Sequence, residues 1–161
     1  MNDPQGRMVE GKQMATFTQI TYDIIFSTKN RDRVLVSEHR PQLFRYIGGV
    51  LSKKKCVPYA IGGHDDHLHM LASLHPSVAL SSLIKDVKLA TSDFIQRERS
   101  MPLFRHWQDG YGAFTHSKDQ RAALASYIAN QDEHHRRISF VDEFKELLKE
   151  AGLDFDPRDL E

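Results

Sequence analysis

Histidine and apolar residues alternate from His67 to Met70, and this pattern constrains the chain more than any other feature of it. Successive side chains of a strand point to opposite faces, so His67 and His69 project one way and Leu68, Met70, Ala72 and Leu74 the other. Such a strand belongs to a sheet with two unlike faces, one packed under helices and one carrying imidazoles. A two-residue spacing on a strand is the shortest way to aim two imidazoles at one point, so the pair is a candidate grip for a divalent ion. Alone the motif is weak, because histidines on a strand are more often solvated or locally hydrogen-bonded. The preceding His64, Asp65 and Asp66 read as a polar turn.

The flanking segments supply the rest of that sheet and its cover. Thr16 to Ser27 reads as a strand, with Ile20, Tyr22, Ile24 and Phe26 alternating with Gln19, Thr21 and Asp23. Ser37 is placed to cap a first helix, with Pro41 tolerable in its opening turn and Leu43, Phe44, Ile47, Val50 and Leu51 at helical spacing. Lys53, Lys54 and Lys55 suit the negative end of its dipole. Val57 to Gly62 reads as a short strand. Leu80, Leu83, Ile84, Val87, Thr91, Phe94 and Ile95 form the clearest helical stripe in the chain. Leu103–Trp107 and Tyr111–Thr115 are expected as strands around an Asp109–Gly110 turn. A capping box at Ser117 and Gln120 opens a third helix, expected over about 118–131, and Ser139 with Asp142 opens a fourth over about 140–151.

The order matches the split β-α-β-β-α-β arrangement of ferredoxin-like folds, giving an α+β domain with additional C-terminal helices. Helices then cover one sheet face and leave the other to be covered or used. Residues 14–161 are expected to form this single domain. Residues 1–13 show no apolar periodicity and are read as a disordered leader or a remnant of cloning. A single cysteine, Cys56, rules out an internal disulfide framework and fits a reducing cytoplasm. No apolar run is long enough to span a bilayer.

The formal net charge of +0 hides an asymmetry. Residues 139–161 carry eight acidic and three basic groups, leaving 14 acidic against 19 basic groups elsewhere, a net of +5. A mildly basic body permits local phosphate contacts without being a general DNA-coating surface.

The second chemistry-bearing segment is Tyr127-Ile128-Ala129-Asn130-Gln131, in which Tyr127 and Gln131 share a helix face. Separately, Tyr127 reads as a packing residue and Gln131 as a solvated one. Together with the histidine strand they resemble the single-tyrosine HUH transposases of small bacterial and archaeal insertion sequences. The resemblance runs from Thr16 onward: through Tyr22–Lys29, Gly63–Leu71, Trp107–Phe114 and Tyr127–Gln131 to the closing Glu133-His134-His135-Arg136.

The resemblance implies an RRM-like HUH nuclease core and an enzyme that nicks and rejoins single-stranded DNA bearing hairpin ends. It implies Tyr127 as nucleophile, forming a 5′-phosphotyrosine, and His67, His69 and Gln131 as ligands of one Mg²⁺ or Mn²⁺ ion. It also implies a homodimer, with Tyr127 able to act in trans, working in the cytoplasm at the nucleoid. A phenol with an ordinary pKa near 10 is both a workable nucleophile and a good leaving group. The group Lys29, Arg31, Arg33, Lys53, Lys54, Lys55, Lys85 and Lys88 is the candidate phosphate-contact set, each also readable as a solvated charge. Trp107 and Tyr111 are readable as base-stacking or as core residues, and His134 and His135 as surface residues.

Two competing readings stand beside this one. The first is a domesticated, non-cleaving regulator that binds hairpins with the same fold. The second is a zinc hydrolase built on His64, Asp66, His67 and His69, which would need a third strong ligand and give Tyr127 no role.

Overall fold

The computed structural model describes residues 15–160, so the expectation for residues 1–13 lies outside it. Four strands, β1 (Thr21–Ser27), β2 (Val57–Gly63), β3 (His67–Ser73) and β4 (Gly112–His116), form one sheet in the order β2-β3-β1-β4. Every neighbouring pair is antiparallel. Helices α1 (Arg40–Lys53) and α2 (Leu80–Glu98) cross between strands, completing the expected β-α-β-β-α-β order.

Strand alternation decides the layers. Ile24 and Phe26 of β1 and Leu68, Met70 and Ala72 of β3 face α1 and α2. There they meet Leu43, Ile47 and Leu51 of α1 and Leu83, Ile84, Val87, Phe94 and Ile95 of α2. Burying an aliphatic side chain of this kind contributes about 1.5–3 kcal/mol relative to exposure. The opposite face is covered by α3 (Arg121–Ala129), α4 (Gln131–His134) and α5 (Phe140–Glu150). Ile25 and Phe114 pack there against Phe140, Phe144, Leu147 and Leu148 of α5. Since both faces are covered, β1 is buried along nearly its whole length.

Two glycines let the second layer approach. A Cβ on Gly62 of β2 would lie 2.3 Å from the Ile128 carbonyl oxygen, and one on Gly112 of β4 would lie 2.5 Å from the Phe144 ring. Only a bare backbone at these positions allows α3 and α5 to seat at this depth.

Several boundaries depart from the sequence reading. The first strand starts at Thr21 rather than Thr16, because its partners Ser73 and His116 are the last residues of their strands. The first helix starts at Arg40, after a turn in which the Val36 carbonyl accepts the amides of His39 and Arg40. The expected strand Leu103–Trp107 is not one. It makes a single bridge between Thr28 and Trp107. Its aromatics turn inward instead: the Trp107 ring lies 5.0 Å from Phe26 and 4.9 Å from Phe104, and its indole N–H donates to Thr91 Oγ1 at 2.9 Å. The third helix breaks at Asn130, giving α3 and α4 in place of one run to Gln131.

Candidate active site and metal centre

His67 and His69 do share the sheet face away from α1 and α2, with ring centroids 5.4 Å apart. Each is held from behind by an oxygen that can only accept. Asp66 Oδ1 lies 2.7 Å from His67 Nδ1, and Asp23 Oδ1 lies 3.3 Å from His69 Nδ1. Asp23 is itself buried in β1, one strand over from the histidines. Both imidazoles thereby donate from Nδ1 and turn Nε2 inward, the usual arrangement of a metal-ligating histidine with its supporting carboxylate.

Across the site, Gln131 Oε1 lies 2.9 Å from His67 Nε2 and 2.9 Å from His135 Nε2. His135 repeats the same pattern, its Nδ1 donating to the Ile138 carbonyl at 2.8 Å. The break at Asn130 does not separate Tyr127 from Gln131, because Asn130 joins the two helices, its N–H donating to the Ser126 and Tyr127 carbonyls and its carbonyl accepting from His134 N. The hydroxyl of Tyr127 and the carboxamide of Gln131 therefore reach the same place, with Tyr127 edge-on to His69 at 6.0 Å.

The centre of the cluster is Glu143 of α5. Its Oε1 lies 2.9 Å from His69 Nε2, and its Oε2 lies 2.9 Å from His134 Nε2 and 3.1 Å from His135 Nε2. Tyr127 donates its hydroxyl hydrogen to the same Oε2, and Gln131 Nε2 donates to it at 3.4 Å. The Phe140 ring stacks on His67 at 4.4 Å and closes the site from above. His67 and His69 are 0% exposed, Gln131 1% and Glu143 2%.

Burial pushes on every ionisable group here, and the outcome differs with its partners. Desolvation presses His67 below the ordinary histidine range despite the pull of Asp66. Burial also presses on His69, but the Asp23 and Glu143 carboxylates outweigh it and hold the imidazole up at about 9. Burial would raise Glu143, yet its bonds to His135, His69 and Tyr127 bring it far below the usual carboxylate range. Tyr127 is pushed well above the ordinary phenol value by burial and by the adjacent Glu143 carboxylate.

The donor set fits a divalent cation. A neutral His67 presents its Nε2 lone pair to Gln131 Oε1, an acceptor facing an acceptor, whereas His135 Nε2 also faces the Glu143 carboxylate, which outweighs burial and holds that imidazole above its ordinary value. A cation relieves that opposition. The ligating atoms of His67, His135 and Glu143 lie within 4.8 Å of one another. Mixed nitrogen and oxygen donors suit Mn²⁺ at least as well as Mg²⁺, which prefers oxygen.

Three residues escaped the sequence reading. His135 was expected on the surface but is drawn inward, four residues beyond Gln131 on the same face, while the neighbouring His134 reaches the site's edge. Asp23 and Glu143 also belong to the site. Glu143 did leave a signal: it falls within the stripe Phe140, Phe144, Leu147, an acid at a position where helical periodicity calls for an apolar side chain. The zinc set is not assembled, since His64 faces Asp132 at 2.7 Å and Asp66 supports His67 from outside.

The family described as IS200-like transposase matches residues 16–131, which hold both histidines, Tyr127 and Gln131. The chain belongs to that family. The ISDra2 transposase TnpA of Deinococcus radiodurans is 25% identical over 118 residues, covering 70% of this chain and 84% of that protein. A solved Deinococcus radiodurans R1 structure named as a transposase shares the fold, with TM-score 0.56 at 24% identity over 75% of this chain and 98% of its own. A REP-associated tyrosine transposase bound to a REP hairpin also shares the fold, with TM-score 0.56 at 16% identity, covering 76% of this chain and 74% of its own. Membership makes the protein one of a family of DNA-cleaving and strand-transferring enzymes. No helix among the described residues is long and apolar enough to cross a membrane.

The basic residues divide in space. Lys29 and Arg31 form a turn directly after β1, at the end of the sheet where Ser27 pairs with His67, and Arg33 follows with Asp65 at 4.0 Å. Lys53, Lys54 and Lys55 lie at the end of α1, just before β2 opens opposite Ser73, so they sit at the far end of the sheet. Lys54 pairs there with Asp86 at 2.7 Å, and Lys85 is exposed on α2. Lys88 is committed inward, donating to the carbonyls of Gln108 and Gly110 at 2.8 and 2.6 Å. Trp107 is a core residue, whereas Tyr111 is exposed.

Proposed function

We propose that this transposase nicks and rejoins single-stranded DNA at hairpin-bearing ends, using Tyr127 as nucleophile and one bound divalent ion. The convergence of Tyr127, His67, His69 and Gln131 carries this reading. His67, His69 and Gln131 would hold Mg²⁺ or Mn²⁺, with His135 and Glu143 within reach. When bound, such an ion polarises phosphoryl oxygens and offsets the charge that develops on them.

The residues of the chain do the rest. Asp66 and Asp23 fix the imidazole orientations, and α3 aims the phenol at the centre of the site. The phenolic oxygen of Tyr127 attacks phosphorus, and the bond from phosphorus to the 3′-oxygen breaks. The products are a 5′-phosphotyrosine and a free 3′-hydroxyl. In this arrangement the phenolic hydrogen is held by Glu143 Oε2, with His134 Nε2 3.3 Å from the hydroxyl. A second 3′-hydroxyl then reverses the step on the stored linkage, so rejoining needs no nucleotide cofactor. Lys29, Arg31 and Arg33 are placed to meet the backbone of a strand entering beside His67. The enzyme would act as a homodimer, in which Tyr127 could serve its own site or that of the partner subunit.

The deciding experiment incubates the protein with labelled single-stranded oligonucleotide carrying the neighbouring element end, with Mn²⁺ and with chelator. Metal-dependent cleavage that leaves DNA on the peptide containing Tyr127 is the expected result. Tight hairpin binding without any adduct would instead identify a non-cleaving regulator.

A further inference from the structure

The family match ends at Gln131, yet the carboxylate on which the site converges comes from beyond it, on α5. Tyr127, His69, His134, His135 and Gln131 all address the two oxygens of Glu143. A scissile phosphate is an anion that needs the same company: the phenol close to its centre and imidazole or cationic groups at its oxygens. Glu143 thus stands where the substrate's phosphate has to stand. Phe140, stacked on His67, covers the histidine pair, and both histidines are fully buried while α5 is seated.

The attachment of α5 suits a removable element. It is 11 residues long, too short to be stable alone, and is held by Phe140, Phe144, Leu147 and Leu148 on a small cluster separate from the main core. The segment to which it belongs is acidic, as the ligand it excludes is, since residues 139–161 carry eight acidic groups against three basic ones. We infer that α5 is a built-in competitor of DNA: Glu143 occupies the place of the scissile phosphate, and the helix lifts before the strand reaches Tyr127. This inference rests on the function proposed above.

Two measurements on the full-length chain test it. The first is amide hydrogen exchange in chelator, with and without the hairpin-bearing oligonucleotide. Exchange in residues 140–150 is expected to speed up on adding DNA while β3 stays protected. Protection of α5 unchanged or increased, with DNA footprints elsewhere, overturns the inference and leaves the transposase reading standing. The second compares initial rates of adduct formation at limiting DNA and fixed Mn²⁺. Phe144→Ala, or Leu147→Lys if that variant fails to fold, loosens the helix without touching a site donor. Either is expected to raise the rate by about tenfold if the open form is a minor population. An unchanged or lower rate with Mn²⁺ affinity intact overturns the inference. So does loss of both Mn²⁺ affinity and cleavage in Glu143→Gln, which would make Glu143 a working ligand. If no variant gives an adduct and DNA alters no amide, the function proposed above falls, and this inference with it.

Discussion

Tyr127 and Glu143 share a hydrogen bond across two helices, the phenol of α3 donating to the carboxylate of α5. The bond fixes the orientation of the candidate nucleophile and ties it to an acid that the histidines also contact. Replacing Tyr127 by Phe keeps the ring and removes the hydroxyl. Adduct formation on labelled single-stranded DNA is expected to drop by at least roughly three orders of magnitude, as for loss of other nucleophiles. Hairpin binding should stay within about twofold. The lost hydrogen bond is expected to cost about 1–3 kcal/mol by urea denaturation. Cleavage near the original rate in this variant would exclude Tyr127 as nucleophile.

Asp23 and Asp66 reach no substrate, yet each holds a histidine through Nδ1. Asp23→Asn and Asp66→Asn are each expected to weaken Mn²⁺ binding by about 10–100-fold, the usual effect of removing a supporting carboxylate. Titration calorimetry on the purified variants reads this directly. Affinity equal to that of the unaltered protein would mean that the two histidines do not bind the ion.

Gly62 sits beneath the tyrosine helix with no space for a side chain, since an added Cβ meets the backbone oxygen of Ile128. Gly62→Ala is expected to destabilise the fold by about 1–3 kcal/mol, the range seen for overpacking. Because α3 must shift, cleavage should fall more than stability alone explains. Denaturation midpoints and cleavage rates, measured on the same preparation, separate the two effects.

Thr91 accepts the indole N–H of Trp107 inside the core. Thr91→Val keeps the shape and leaves that donor unpaired, which is expected to cost about 1–3 kcal/mol. Trp107 is the sole tryptophan, so its fluorescence reports both the altered environment and the unfolding midpoint. An unchanged midpoint would show that the indole finds another acceptor.

Local periodicity determined much of this protein. Strand alternation around His67 separated an apolar face from an imidazole face, and the stripe from Leu80 to Ile95 made α2 legible to within a residue at its start. The spacing of Tyr127 and Gln131 placed both on one side of their segment, and a break at Asn130 did not undo it. These features follow from repeats of two and 3.6 residues, which act between near neighbours and are written in the sequence itself.

What only the tertiary structure decided is the company those residues keep. Asp23 lies on a different strand from His69, and Glu143 comes from a helix that its own sequence marks as amphipathic but not as a cover for this site. His135 looked solvated until packing drew it against His67 and beside Gln131. Leu103–Trp107 carried a strand pattern, but the indole found a buried partner on α2 and the ladder did not form. In each case the deciding contact joins segments far apart in the chain, whose meeting is set by how the layers pack and not by any local repeat.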